Sequence, residues 1–242
     1  MTERSVTGNR AAGRARGVTT VKATQFAATA PTGPHAVARR GRPGYDRQQV
    51  VRIAVDLFNE QGYDATSVAD LASRLGLTKS ALYHHVDSKE SILRDALDDA
   101  LTALDAVLDD AQERPAAAIE RLRDVLRGAV GVLVAKLPEV TLLLRVRGNS
   151  DIERAALDRR RTFDQRVTAL VRAAQDEGAL VGDIDAALAT RLIFGMVNSL
   201  TEWYRPGGPT PPDAIADDVL RIALDGLQRP SRPPSASTGT TG

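Results

Sequence analysis

Cysteine is absent from all 242 residues, which removes disulfides, thiolate metal sites and cysteine nucleophiles at once. Histidine is almost as scarce. Only His35, His84 and His85 occur, and the last two are neighbours that point apart on a helix, so a zinc site is not expected. No apolar run approaches the roughly 18 residues a membrane span needs. The arginines near the start are followed by no apolar segment, so a secretory leader is not expected and the expected location is cytoplasmic. No glycine-rich phosphate loop follows a strand, and no histidine–carboxylate pair shares a helix face. Neither an enzyme nor a bound cofactor is therefore expected.

The remaining composition, 43% hydrophobic and 26% charged, is that of a globular chain long enough to bury a core. A formal net charge of +1 conceals an asymmetry. Residues 1–44 hold eight Lys or Arg and a single acid, Glu3, whereas the rest carry 24 basic and 30 acidic side chains. A basic arm on a mildly acidic body suits a polyanionic partner near the N-terminus. A solvated tail is the alternative for residues 1–36. The Ala/Thr/Gly/Arg/Pro composition of 1–44 predicts disorder, as does that of 230–242.

Between these tails the periodicity is helical throughout. Val50, Val51, Ala54, Leu57 and Phe58 mark a first helix near 46–61, closed by Gly62. Short helices follow near 67–74 and 78–84, the first capped by Thr66 or Ser67, the second by Thr78, with Gly76 as the turn between them. Ser88 opens a long helix to about 110. Further helices fall near 115–136, 138–146, 151–178, 185–205 and 212–228, punctuated by Pro115, Pro138, Gly148, Gly178, Gly182 and the Pro206–Pro209 break. The expected fold is all-α: a three-helix domain at 45–92 followed by a larger helical domain at 93–229.

The stretch from Thr66 to Val86 carries the chemistry. Val68, Leu71, Ala72, Leu75, Leu77 and Leu82 can fill one core, leaving Thr78, Lys79, Ser80, Tyr83 and His84 on the outer face of the second short helix. A helix-turn-helix that reads a major groove needs this division between a wet face and a rigid back. Lys79 can meet a phosphate or a guanine, Thr78 and Ser80 can bond phosphate oxygens, and Tyr83 and His84 offer a ring and a donor. Ser67 and Lys89 stand at helix starts, where free N–H groups favour phosphate. Residues 45–90 carry five basic against seven acidic side chains. Non-specific affinity is therefore expected to lean on Arg39, Arg40 and Arg42, in the manner of a minor-groove arm.

Tyr45 to about Leu93 resembles the DNA-binding domain of the TetR family of bacterial repressors. The resemblance rests on Leu57-Phe58, Gly62-Tyr63-Asp64-Ala65-Thr66-Ser67, Ala69-Asp70-Leu71-Ala72, Gly76-Leu77-Thr78-Lys79-Ser80, Leu82-Tyr83-His84-His85 and Lys89-Glu90. Val86 stands where the family usually has phenylalanine, a difference of packing. The resemblance implies a homodimer on a palindromic operator, released by a small effector that binds in the second domain.

In that second domain, 185–205 is apolar over a wide arc. Leu188, Leu192, Met196 and Trp203 lie along one side and Ile193, Val197, Leu200 and Tyr204 beside them, so the helix needs cover from two directions. Its own core supplies one; a second copy or further core supplies the other. Along 151–178, Arg159 and Arg160 flank the apolar face and Arg161 points away, with Arg145 and Arg147 nearby. Arginines beside a core need an anion. Either an effector supplies it, or Asp151, Glu153, Asp158 or Glu202 do. The segments 142–149, 159–163 and 194–206 resemble a TetR subgroup that senses acyl-CoA thioesters in phenylacetate or steroid breakdown. That resemblance implies that Arg145, Arg147, Arg159 and Arg160 face CoA phosphates. It likewise implies that Phe163, Phe194, Met196, Asn198 and Trp203 surround the acyl and pantetheine parts.

Overall fold

The first helix among the described residues begins at a capping side chain. Asp46 accepts from the Gln49 amide at 2.7 Å while Gln49 Oε1 accepts from the Asp46 amide, and α1 (Arg47–Gln61) follows. The structure is a computed structural model that describes residues 45–226. The expectations for the basic arm, with Arg39, Arg40 and Arg42, and for the tail at 230–242 lie outside the described residues.

Ser67 and Asp70 form a second reciprocal cap that starts α2 (Val68–Leu75). Gly76 ends it at φ +65°, a left-handed position that glycine occupies without strain. Thr78 accepts from the Ala81 amide and opens α3 (Lys79–Tyr83). Ser88 then opens α4 (Lys89–Glu113), a helix of 25 residues.

The rest of the chain forms α5 (Ala118–Ala135), α6 (Leu137–Arg145), α7 (Asp151–Asp176), α8 (Ala186–Asn198), α9 (Leu200–Trp203) and α10 (Pro212–Leu220). No strand occurs among the described residues, in keeping with the all-α expectation. Two expected single helices are interrupted. At Ser199 the expected 185–205 helix bends into α9. Ser199 Oγ donates to Met196 O at 2.7 Å and Thr201 Oγ1 to Asn198 O at 2.8 Å, so hydroxyls compete for the carbonyls that would continue the helix. The expected 212–228 helix passes into a π-helical turn at Arg221–Asp225.

One apolar cluster joins Leu57, Phe58, Leu71, Leu75 and Leu82 to Ile92, Leu93 and Leu97 of α4, to Val140 and Leu143 of α6, and to Val197 and Leu200. A second joins the far end of α4 to α5, α7, α8 and α10 through Leu108, Leu122, Leu126, Phe163, Val167, Val171, Ile193 and Leu220. Helix α4 runs unbroken through residues 92 and 93 and belongs to both clusters. The two clusters therefore share α4 as a common wall.

Ion pairs reinforce that connection. The aspartates of α4 pair in turn with α1 (Asp95–Arg47), with Lys136 (Asp99, 2.6 Å), and with α7 (Asp98 and Asp105 with Arg159, Asp109 with Arg166). Glu153, buried on α7, accepts from the backbone N–H groups of Arg147, Gly148 and Asn149 at 2.8–3.1 Å and so fixes the α6–α7 turn.

Candidate DNA-reading surface and effector cavity

Only Leu82 of α3 is buried; it packs with Leu71, Leu75 and Ala72 of α2. Thr78, Lys79, Ser80, Tyr83 and His84 are all exposed, Tyr83 to 51%. The core division drawn from the sequence is observed, with Val68 and Leu77 half-buried at its edge. A single anchored leucine behind five wet side chains gives a short rod that can enter a groove without losing its seat.

Two expected phosphate contacts sit differently. The Ser67 side chain is occupied by its cap with Asp70, its Oγ 2.6 Å from Asp70 Oδ2. The Lys89 ammonium turns inward. It donates to Tyr63 O at 2.8 Å and Thr66 O at 2.9 Å and lies 4.1 Å from the Tyr63 ring centroid. That position corrects the expectation of a phosphate-binding side chain, because carbonyls and a ring face already satisfy the cation. Burial, with Glu90, Asp64 and Glu153 nearby, pushes the Tyr63 hydroxyl up to about 12, so the ring stays neutral beneath that cation.

A cavity of about 450 Å³ opens among α4, α5, α6, α7 and α8. Its apolar wall is made by Leu104, Leu133, Val140, Leu143, Leu144, Phe163, Phe194 and Val197; the two phenylalanines meet edge to face, centroids 5.5 Å apart. Its polar wall is Arg160, Arg161, Asp164, Gln165, Thr168, Thr190, Arg191 and Asn198. Burial raises the Asp164 carboxyl above its ordinary value, while Arg160 and Arg191 pull it back down.

Of the expected effector residues, Arg160, Phe163, Phe194 and Asn198 come together in this cavity. The others do not. Arg159 turns to α4, where it bonds Asp98 (2.9 Å) and Asp105 (2.7 Å). Successive helical residues differ by about 100°, so Arg159 and Arg160 serve different neighbours. Arg145 donates to Asn59 O at 2.6 Å in a separate groove against α1, and the Arg147 side chain is exposed. Met196 is half-buried between the two clusters, and Trp203 is 56% exposed, away from the cavity lining. Arg161, expected to point away, reaches the rim while paired with Asp158.

Arg191 was missed by sequence reasoning. Its spacing from Ala187, Phe194, Gly195 and Asn198 was the available signal, because all five share one face of α8.

Leu188 (46% exposed), Leu192 (63%) and Trp203 leave an apolar stripe uncovered along α8–α9, and Ile222 is 61% exposed at the C-terminal helix. The companion stripe of Ile193, Val197, Leu200 and Tyr204 is buried. The helix is thus covered from one direction only. No helix among the described residues is long and apolar enough to cross a membrane.

Residues 50–96 match the family described as bacterial regulatory proteins, tetR family, and residues 115–227 the tetracyclin repressor-like C-terminal domain. The HTH-type transcriptional repressor KstR2 of Rhodococcus jostii is 31% identical over 210 residues, 82% of this chain and 98% of that protein. The chain belongs to the TetR family. Among solved structures of TetR regulators, SCO3833 from Streptomyces coelicolor A3 is 44% identical, with a TM-score of 0.70, over 81% of this chain and all of that one. The ketosteroid transcriptional regulator KstR2 of Mycobacterium tuberculosis is 26% identical with a TM-score of 0.70, over 78% and 98% of the two chains. As a TetR protein the chain is a DNA-binding, ligand-responsive transcriptional repressor.

Proposed function

We propose that this repressor binds a palindromic operator as a homodimer and is released by an acyl-CoA thioester seated in the cavity. The observation that carries the reading is a cavity with an apolar wall and two arginines, Arg160 and Arg191, on either side of Asp164 in its lining. Helix α4 lines that cavity through Leu104 and begins at the DNA-reading head. A volume of about 450 Å³ lies within the usual range for a small-molecule site and suits an acyl group; the nucleotide of CoA stays outside along the arginine rim. The ketosteroid regulator among the relatives supports a ring-bearing apolar part.

Contacts to DNA fall to Thr78, Lys79, Ser80, Tyr83 and His84. Arg39, Arg40 and Arg42 supply the basic arm. The dimer buries the α8–α9 stripe and Ile222 against the same surface of a second copy, placing two α3 helices about 34–36 Å apart on one face of cytoplasmic DNA. The domain division at 92/93 separates reading from sensing by function, with α4 in common. Effector and operator favour different tilts of α4, and each must bind the two states unequally for release to occur.

The test is a gel shift on DNA upstream of the protein's own coding region, with and without phenylacetyl-CoA and steroid-ring CoA thioesters. Release by a thioester but not by its free acid supports the reading. Replacing Lys79, Tyr83 and His84 together by alanine should abolish the shift; unchanged affinity would refute the DNA-reading assignment. R160A should require at least tenfold more thioester for release.

A further inference from the structure

The polar wall of the cavity is made of acceptors on one side. Thr190 Oγ1 donates its hydrogen to Ala186 O at 2.8 Å. Thr168 Oγ1 lies 2.8 Å from Asp164 O and 3.2 Å from Thr190 Oγ1, so its single hydrogen also stays within the protein. What these hydroxyls present to the cavity is lone pairs. Asp164 lines the same cavity, half-buried, with Arg160 and Arg191 acting on it electrostatically, and its carboxylate accepts no hydrogen bond among the described residues. It is the only acid in the lining among the described residues.

A plain hydrocarbon that fills this cavity strips water from the Asp164 carboxylate and gives nothing back. A ligand that brings a donor to the same place satisfies it. Sites built to hydrogen-bond a hydroxyl discriminate strongly against analogues that lack it, since the protein group is left stranded. Arg160, one helical turn before Asp164 on α7, and Arg191, across on α8, keep that carboxylate within an electropositive rim. An anionic group on the ligand is drawn to the arginines and repelled from Asp164, which orients the molecule.

We infer that Asp164 is a specificity-determining residue that selects effectors carrying a hydroxyl on the acyl part, with Thr168 and Thr190 as auxiliary acceptors. This inference rests on the thioester reading above and narrows it: the preferred effector is a hydroxylated acyl-CoA, not the parent hydrocarbon acid thioester.

The experiment uses the full chain without DNA. Wild type, D164N and D164L are titrated calorimetrically with phenylacetyl-CoA and with its 2-, 3- and 4-hydroxy derivatives, and thermal unfolding confirms that each variant is folded. At least one hydroxy derivative should bind wild type about ten- to a hundredfold more tightly than the parent. D164L should abolish the preference, while D164N, which retains an acceptor oxygen, should keep part of it. No preference in wild type, or an undiminished one in D164L, overturns the assignment of Asp164 and leaves the thioester reading standing. Failure of wild type to bind any of the four, or any steroid-ring CoA thioester in the same titration, overturns both.

Discussion

Leu192→Ala isolates the energetic weight of the uncovered stripe on α8. Full burial of a leucine side chain is worth about 1.5–3 kcal/mol. In the single chain Leu192 remains 63% exposed, so roughly 1–2 kcal/mol of that is still available to a partner. Two-fold symmetry applies the substitution twice, giving roughly 2–4 kcal/mol per dimer. At 1.4 kcal/mol per decade, the dimer dissociation constant should rise about thirtyfold to nearly a thousandfold. Sedimentation equilibrium over a dilution series measures it directly. Circular dichroism at each concentration shows whether the protomer stays folded, as the buried companion stripe predicts. Alanine has the highest helix propensity of the residues, so the substitution does not weaken α8 itself. A dissociation constant unchanged within threefold would refute the claim that this face pairs two copies.

Three further outcomes follow from the packing and charge of the sensing half. Arg159→Leu removes two partly exposed ion pairs of at most about 1 kcal/mol each, so the melting temperature should fall by only a few degrees. Release of operator by thioester should nonetheless become at least fivefold less effective, and a normal response would remove this tie between α7 and α4 from the account. Gly128→Ala should destabilise by about 1–3 kcal/mol in urea unfolding, because its Cβ would fall 2.4 Å from a methyl of the stiff Val107; Val107→Ala in the same chain should restore most of the loss. Asp164 has a folded-state pKa above its unfolded one, so its ionised form opposes folding at neutral pH and that opposition fades as pH falls through the folded value towards the ordinary carboxyl value. Asp164→Asn should therefore melt higher than wild type at pH 7, and the gap should close near pH 4; a gap independent of pH would contradict the assignment.

The reading head was legible because its determinants are local. Ser67, Thr78 and Ser88 cap the helices they were expected to cap, and Gly76 supplies the left-handed turn between two of them. The exposed face of α3 follows from the same few residues. The sensing half was legible only as helices. Arginine pairing there is decided by tertiary neighbours: Arg159 finds Asp98 and Asp105, 61 and 54 positions away, where sequence reasoning had looked no further than nearby acids and Glu202. Glu153, one of those candidate partners, instead serves three backbone amides. The bend at Ser199 was hidden for a different reason. It uses hydroxyls, not glycine or proline, and hydroxyl bonds to carbonyls leave no distinctive pattern in a sequence. Trp203 instead continues the exposed stripe of Leu188 and Leu192, on a different face of the helix from the cavity residues Arg191, Phe194 and Asn198.

The inward turn of Lys89 has a geometric consequence. By gripping Tyr63 O and Thr66 O it welds the first turn of α4 to the loop between α1 and α2, so the three small helices swivel with the long one as a single lever arm. An arm of 25 residues is about 37 Å long, and a rotation of about 5° at its far end sweeps the tip through roughly 3 Å. In the proposed symmetric dimer the two tips would move in opposite senses, so the separation of the two α3 helices would change by about twice that amount.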